Sequence, residues 1–418
     1  MEYRKLKELA TISISNVDKK TAENEKTVRL CNFVDVYRNW AITENMIPNF
    51  MIASAKENEI EKYALYKGDV CITKDSETKD DIGMSTYIAD DIDGLVLGYH
   101  CALISPDKSV LDGKYLNAFL QTDFVRKFYE LNASGSGQRY TLSLDAIGEI
   151  PIPVISLEEQ KRKGELLSLI DRKIENNNKI NDNLAQYANM IYDYWFTQFD
   201  FPDSKEKPYK SSGGAMTFSS VLGKDIPIGW NVVPLGNIAK MCTESITPQA
   251  GTIYKHYSIP AFDDSKLPKI EDGAEIDSSK YLVPSNTILV SKLNPQFKRI
   301  WFVNEADNTS ICSTEFLPFC NYGVPVEYLH GVLNSAAYHK YMIQCSSSST
   351  GSRKRMPPEL CLTYNVVLPP ISVMEAYSNK LRSVLEHMSN LLYENASLKA
   401  TRNHLLPLLM SGQATIAD

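Results

Sequence analysis

The chain has 418 residues, of which 43% are hydrophobic and 10% aromatic; this is a folded composition, too long for one ordinary core and suited to two or three domains of ~150 residues. A balance of 44 basic against 51 acidic residues gives a formal net charge of −7, which excludes a chain that coats nucleic acid through its overall field but leaves room for local basic patches. No apolar run approaches the ~18 residues of a membrane-spanning helix, and the opening MEYRKLKELA lacks a signal-peptide core, so a cytoplasmic location is expected.

In chain order, short β-like runs such as Val70-Cys-Ile-Thr73 are followed by short helical ones around Tyr115–Glu130. A proline-bounded segment, Ile150-Pro-Ile-Pro153, then leads into a long polar helix predicted from about Leu157 to Trp195. Ser156 is its expected N-cap and Glu159 the third residue of a capping box. Leu166, Ile170, Ile180, Leu184, Tyr187, Ile191 and Tyr194 recur at heptad spacing, with Asn177 in the stripe. Residues 201–227 are rich in Pro, Ser, Gly and alternating charge, and read as a surface linker. The same order then begins again. A second long helix, with Leu381, Val384, Met388, Leu391, Leu398 and Leu405 in its stripe and Asn395 and Arg402 interrupting it, is predicted to end near Leu409 with Gly412 as a stop.

The chain is thus a duplication. Lys67–Lys74 is echoed by Ser285–Lys292, Tyr115–Leu120 by Tyr328–Leu333, and Leu6–Ala10 by Leu235–Ala239. Residues 134–156 align without a gap on 350–372. Two polar helices with narrow apolar stripes are what an antiparallel coiled-coil pair needs, and Asn177 and Asn395 would sit at buried positions that trade stability for register. Ile170, Asn177, Ile180, Leu184 and Ile191 on one helix, and Leu381, Met388, Leu391, Asn395 and Leu398 on the other, are the expected pairing residues.

None of the eight cysteines forms a C-x-x-C pair, so a zinc site is not expected and the thiols are read as buried, reduced and structural. Six scattered histidines offer no metal site or triad. No P-loop, G-x-G-x-x-G or H-E-x-x-H occurs. Asn294-Pro-Gln-Phe297 is one residue from the N-P-P-[FY] loop of adenine methyltransferases, and Glu159-Gln-Lys161 has the E-x-K spacing of some nucleases. A single-chain methyltransferase or nuclease would need one of these to work; a scaffold that binds only proteins is a third reading.

Binding features carry more weight. Gly351, Ser352, Arg353, Lys354 and Arg355 form a cationic Gly/Ser loop in the second copy, where a small-residue backbone can approach phosphates and Arg can fork onto guanine. Lys292, Asn294, Gln296, Lys298 and Arg299 form a second acid-free run, with Asn294 and Gln296 as candidate adenine readers. The first copy offers Ser136, Gly137, Gln138, Arg139 and Tyr140, with Lys74 as the counterpart of Lys292.

At this point the sequence resembles a family, the specificity subunits of type I restriction-modification systems. The resemblance rests on Ile150-Pro-Ile-Pro153 with Ser156-Leu-Glu-Glu-Gln160, on Asp193-Tyr-Trp-Phe196 running into Gln198–Pro202, on Asp225–Trp230, and on Glu394-Asn with Leu405–Gly412, in this order. The second copy departs in having Val373-Met-Glu-Ala where the first has Leu157-Glu-Glu-Gln. The resemblance implies an α+β fold: target recognition domains at 1–155 and 228–371, spacer helices at 156–200 and 372–418, and the linker at 201–227. The two mixed α/β recognition domains would be separated by two long antiparallel coiled-coil helices with pseudo-twofold internal symmetry. It further implies a non-catalytic chain that reads a bipartite site in double-stranded DNA and docks two methylation subunits, to which restriction subunits can add. Cofactors are expected in the partners (S-adenosylmethionine, ATP and Mg2+) and none in this chain. The helices would then set the length of an unread gap in the target.

Overall fold

The computed structural model describes residues 2–135, 139–347 and 353–416. It contains two compact units, one made of Met1–Asn176 with Ser397–Asp418 and the other of Asn177–Ala396. Each unit therefore holds one mixed α/β domain and a stretch of each long helix.

In the first unit a five-stranded sheet runs in the order Ala10–Ile14, Cys101–Pro106, Val70–Thr73, Ser85–Ile88 and Ala41–Ile42. All neighbours are antiparallel except the last pair. The Val70–Thr73 strand is buried at every position, as expected of a central strand covered on both faces. A three-stranded sheet places Lys26–Cys31 between Met51–Ala55 and Leu95–Leu97. Helices Gly113–Leu120 and Asp123–Asn132 are capped by Asp112 and Thr122, whose side chains accept from Tyr115 and Val125 N–H groups.

The second unit repeats this order. Its main sheet runs Ala239–Met241, Phe316–Tyr322, Thr287–Ser291 and Ile300–Val303, and a five-stranded sheet lies beside it. Helices Val326–Asn334 and Ala336–Cys345 replace the first unit's pair. Strand Glu2–Lys5 pairs with Pro151–Val154, and Asn231–Pro234 with Asn365–Leu368.

Hydrogen bonds fix the register of the repeat. Leu6 N–H donates to Ile150 O as Leu235 N–H donates to Tyr364 O, and Leu142 N–H donates to Lys74 O as Met356 N–H donates to Lys292 O. Tyr115 Oη donates to Pro153 O, and Tyr328 Oη to Val367 O. On the carboxyl-terminal side these pairs are offset by 214 residues, not the 216 of the ungapped alignment. Recurrent Gly, Ser and Pro letters draw a gapless match out of register, whereas backbone pairing admits one solution. Arg139 is therefore equivalent to Arg353, and Leu157 to Ile371 rather than Val373. Gln160 and Met374 then share one buried first-turn position.

The first long helix spans Leu157–Tyr192 and continues as a π-helical turn, Asp193–Thr197, so its α-helical part ends before the expected Trp195. Ser156 Oγ accepts from Glu159 N–H at 3.2 Å, which is half of the capping box; the Glu159 carboxylate instead holds Lys163 at 2.9 Å. The second spans Ile371–Ser411 and stops at Gly412, whose φ of 77° suits a glycine, with Ala414 N–H donating to Leu408 O.

The apolar stripe of the second helix lies where the heptads placed it. Leu381, Leu391 and Asn395 are buried, and Met388 and Leu398 are half-buried. That of the first helix is rotated by about one residue. Leu167, Ile174, Asn177, Ala188 and Trp195 are its most buried positions; Ile170, Ile180, Leu184 and Ile191 flank it half-buried, while Tyr187 and Tyr194 are exposed. Counting only large apolar residues missed Gly164 and Ala188, small residues that let neighbours come close. A Cβ on Gly164 would lie 2.8 Å from Tyr115 N.

Inside the second unit the helices run antiparallel, since Asn177 meets Asn395 while Asn181 meets Met388. Asn177 is fully buried and donates to Asn395 Oδ1 at 2.9 Å and to Glu394 at 2.7 Å; Asn395 donates to Asn178 at 2.8 Å. In the first unit the corresponding polar contact is ionic: Arg402 lies 3.4 Å from Asp171 and over the Trp40 ring. Burial pushes the Asp171 carboxyl up to about 6 against the pull of Arg402.

Two expectations need correction. The segment read as a surface linker carries a hairpin, Met216–Ser219 with Lys224–Pro227, and buries Phe201 and Ile226. Phe201 stacks on Tyr209 and lies 4.8 Å from the Trp230 ring, which joins Phe196 and Phe199 in one aromatic cluster. The cysteines are not all free thiols: Cys242, just past the strand Ala239–Met241, and Cys320, on the neighbouring strand, are joined as a disulfide with Cα atoms 6.0 Å apart. Five of the other six are buried.

Candidate nucleic-acid interface

In each unit the loop that follows the second short helix returns as a strand beside Lys74 or Lys292. Tyr140 and Thr141 pair with Ser76 and Asp75, and Ser134 and Gly135 pair with Thr141 and Tyr140. In the second unit Arg355 bridges both Leu293 and Ser347. The described residues flanking the two loops are thus paired at equivalent positions, by short strands in the first unit and by isolated bridges in the second. Ser136, Gly137, Gln138, Gly351 and Ser352 lie outside the described residues.

The cations in and around these loops fall into two classes. In the first unit Lys74 is held by Asp75 at 2.9 Å and is largely covered. His100 Nδ1 lies 2.5 Å from Asp75 and 2.7 Å from Arg139 Nη2, and the Arg139 guanidinium is 3.8 Å from Asp75 while remaining more than half exposed. Burial raises the Asp75 pKa, but hydrogen bonds from Lys74, His100 and Thr141 outweigh it and hold the carboxyl below its ordinary value. Asp75 therefore anchors the base of the loop, and Arg139, tied to His100 and Asp75, stays more than half exposed. Tyr140, half-buried, packs under Lys79.

In the second unit the division is sharper. Arg299 forks onto Asp263 at 2.6 and 2.7 Å, and its side chain is only 14% exposed. Lys298 turns its ammonium back onto the Asn334 carbonyl. Arg355 forks onto Glu315, with contacts of 2.7 and 3.1 Å, and this carboxylate raises the guanidinium's pKa. Lys74, Lys298, Arg299 and Arg355 thus each have an acid or carbonyl partner within their own fold. Lys292, Arg353 and Lys354 form no ion pair among the described residues, and Arg353 and Lys354 are exposed.

Asn294, read as an adenine reader, also clasps the chain beside the basic loop. It sits at a φ of 48°, a conformation that Asn tolerates better than most residues. Its N–H donates to Lys354 O at 2.7 Å and its Oδ1 accepts from Lys354 N–H at 3.0 Å. This double clasp fixes the backbone of the basic loop. Gln296 remains exposed and available, beside the exposed Phe297.

Sequence reasoning missed Asp75, Asp263, Glu315 and the His100 imidazole. Asp75 follows Lys74 directly, and that adjacency was a usable signal; Asp263 and Glu315 are distant from their arginines in the chain and become partners only through the sheet. His100 and Glu315 are equivalent, since their carbonyls accept from Lys74 and Lys292 N–H. Glu159, the acid of the E-x-K spacing, is held by Lys163.

Comparisons with known proteins place this arrangement. Residues 1–186 match the family model described as type I restriction modification DNA specificity domain. The type I restriction enzyme MjaIX specificity subunit of Methanocaldococcus jannaschii is 24% identical over 320 residues, which cover 73% of this chain and 70% of that protein. The type I restriction enzyme HindI specificity subunit of Haemophilus influenzae is 20% identical over 414 residues, covering 84% of this chain and 88% of that protein. The crystal structure of the S subunit of a type I restriction-modification system from M. genitalium shares the fold, with a TM-score of 0.55 at 14% identity over 98% of this chain and 95% of that one.

Proposed function

We propose, from the premise that the chain belongs to the type I restriction-modification DNA specificity family, that each of its units reads one half of a bipartite duplex target. As a specificity subunit it is the DNA-recognition component, it assembles with other subunits of the system, and catalysis resides in those subunits. No helix among the described residues is long and apolar enough to cross a membrane.

The observation that supports two-site reading is the equivalent placement of Arg139 and Arg353 on loops whose described flanks pair at equivalent positions but carry different neighbours. A common frame with divergent contact residues is what two different half-sites require. The contacting set is Arg139 and Tyr140 in the first unit and Lys292, Gln296, Arg353 and Lys354 in the second. Exposed cations grip phosphate, and Arg or Gln can fork onto base edges in the major groove. The recognition domains are assigned to 1–155 and 228–371, and the helices of 156–200 and 372–418 to spacing the half-sites and docking two methylation subunits. S-adenosylmethionine belongs to those subunits, and ATP with Mg2+ to restriction subunits where these join.

Selection from a random duplex library, using the full chain assembled with its methylation subunits, tests this reading. The expected product is one motif of two specified blocks separated by a constant unspecified gap. A single continuous block, or no enrichment, overturns it.

A further inference from the structure

We infer that Glu315 and Asn294 are positioning residues that set how many cations the second unit offers to DNA: Glu315 withdraws Arg355 from the contacting set, and Asn294 fixes the Lys354 backbone so that Arg353 and Lys354 face outward. This rests on the DNA-reading function proposed above and goes beyond it by dividing three consecutive cations into two contacts and one anchor.

The geometry carries the division. Arg353, Lys354 and Arg355 are adjacent and all exposed, so composition treats them alike. Among the described residues only Arg355 of the three has a carboxylate, and the Glu315 fork takes both its Nε and Nη2. A guanidinium neutralised in this way releases few counterions from a phosphate, since its charge is already compensated. The Arg355 backbone is fixed as well. Its N–H donates to Ser347 O and its carbonyl accepts from Ser347 N–H, while Met356 N–H donates to Lys292 O. Together with the two hydrogen bonds between Asn294 and Lys354, five links hold residues 354–356, three of them to the turn that follows the strand ending at Ser291 and two to Ser347. Such a base resists tilting when the loop is pulled toward a phosphate, which is what reading a base edge rather than the nearest charge requires.

The first unit reaches a similar end by other residues. The position equivalent to Glu315 is His100, and the acid is Asp75, one residue after Lys74. An acid beneath the loop is therefore common to both units although its sequence position is not. A loop with every cation free would bind any duplex more tightly and discriminate less, because the phosphate contribution is independent of sequence.

The test uses the full chain assembled with its methylation subunits and two probes: a duplex of random sequence and a duplex carrying the motif returned by library selection. For each variant the salt dependence of binding and the ratio of the two affinities are measured. Glu315→Gln keeps the shape of the side chain but frees the Arg355 charge; the slope of log K against log salt on the random duplex is expected to steepen by about 1, and the motif-to-random ratio to fall. Glu315→Gln combined with Arg355→Gln is expected to restore the wild-type slope. Arg353→Ala and Lys354→Ala are each expected to flatten it by about 1. Asn294→Ala should lower the ratio without changing the slope, and Asn294→Asp, which keeps the acceptor for Lys354 N–H, should recover most of it. A Glu315→Gln slope equal to or flatter than wild type overturns the inference, as does a steepening that persists in the double variant. If Arg353→Ala and Lys354→Ala leave binding unchanged, it is the assignment of this loop to DNA that fails. A merely structural Glu315 would lower stability and could not steepen the slope.

Discussion

Replacing the buried amide pair of the second unit gives a quantitative test of the helix interface. Asn177 is fully buried, gives its Nδ2 protons to Asn395 and Glu394, and leaves its own Oδ1 without a hydrogen-bond partner. Asn177→Leu removes those two bonds and strands the Asn395 carbonyl oxygen in an apolar setting. A stranded buried acceptor costs about 1–3 kcal/mol, part of which the added apolar burial and the loss of the unsatisfied Oδ1 offset. A net loss of about 1–2 kcal/mol should lower the melting temperature of a unit this size by about 2–8 °C. Asn395→Leu should behave likewise; the Asn178 amide it releases is exposed and turns to water. The double variant leaves no amide stranded between the helices, so it should melt at or above wild type. The cycle then returns a favourable coupling of about 2–4 kcal/mol, measured by urea unfolding of the full chain and its three variants. If the double variant loses as much as the two single ones together, to within about 0.5 kcal/mol, the amides do not act as a pair and the reasoning fails.

Other outcomes follow from the same geometry. Asp171 has a pKa raised by burial to about 6, so its protonated form favours folding: that contribution is full below about pH 4 and is lost as pH rises through 6. Melting curves from pH 4 to 8 should show a decline in wild type that Asp171→Asn removes; an unchanged decline refutes the assignment. Arg299→Ala breaks the fork to Asp263 and removes a largely covered side chain, and should cost about 1–3 kcal/mol by denaturant titration, while the salt slope of DNA binding stays at the wild-type value; a flatter slope would place Arg299 among the contacts. Gly164→Ala gains helix propensity of about 1 kcal/mol but sets a Cβ against Tyr115 N, and overpacking of about 1–3 kcal/mol should prevail. Gly323→Ala meets nothing within 4 Å and should leave the melting temperature unchanged; a Gly164→Ala chain as stable as Gly323→Ala would show that the helix yields freely.

Much of the architecture was legible because it is periodic. The repeat, the two helices, the Ser156 cap, the Gly412 stop and the Asn177–Asn395 pair all leave marks at fixed spacing. The rotation of the first helix was not legible, because its closest contacts use Gly164 and Ala188, and small residues carry little signal in an apolar stripe. The 214-residue offset was hidden by repeated Gly, Ser and Pro. At the candidate interface, sequence named the cations but not the partners that the fold gives several of them. Lys74, Lys298, Arg299 and Arg355 look the same as Arg353 and Lys354 until the fold brings Asp75, Asn334, Asp263 and Glu315 to them. The clasp made by Asn294 was hidden for the same reason: its partner, Lys354, is 60 residues away and reaches it through the bridge at Leu293.

The net charge of −7 also has a physical place in this picture. Several acids lie beneath cations that the fold must hold still, so the sum of charges says little about which cations DNA meets. The most direct measurement of the central claim is a genome-wide map of methylated adenines in the source cells, with the gene present, deleted and restored. A DNA-specificity subunit predicts that one bipartite motif loses methylation on deletion and regains it on restoration, with every other motif untouched. A methylation map that is identical in all three would contradict it.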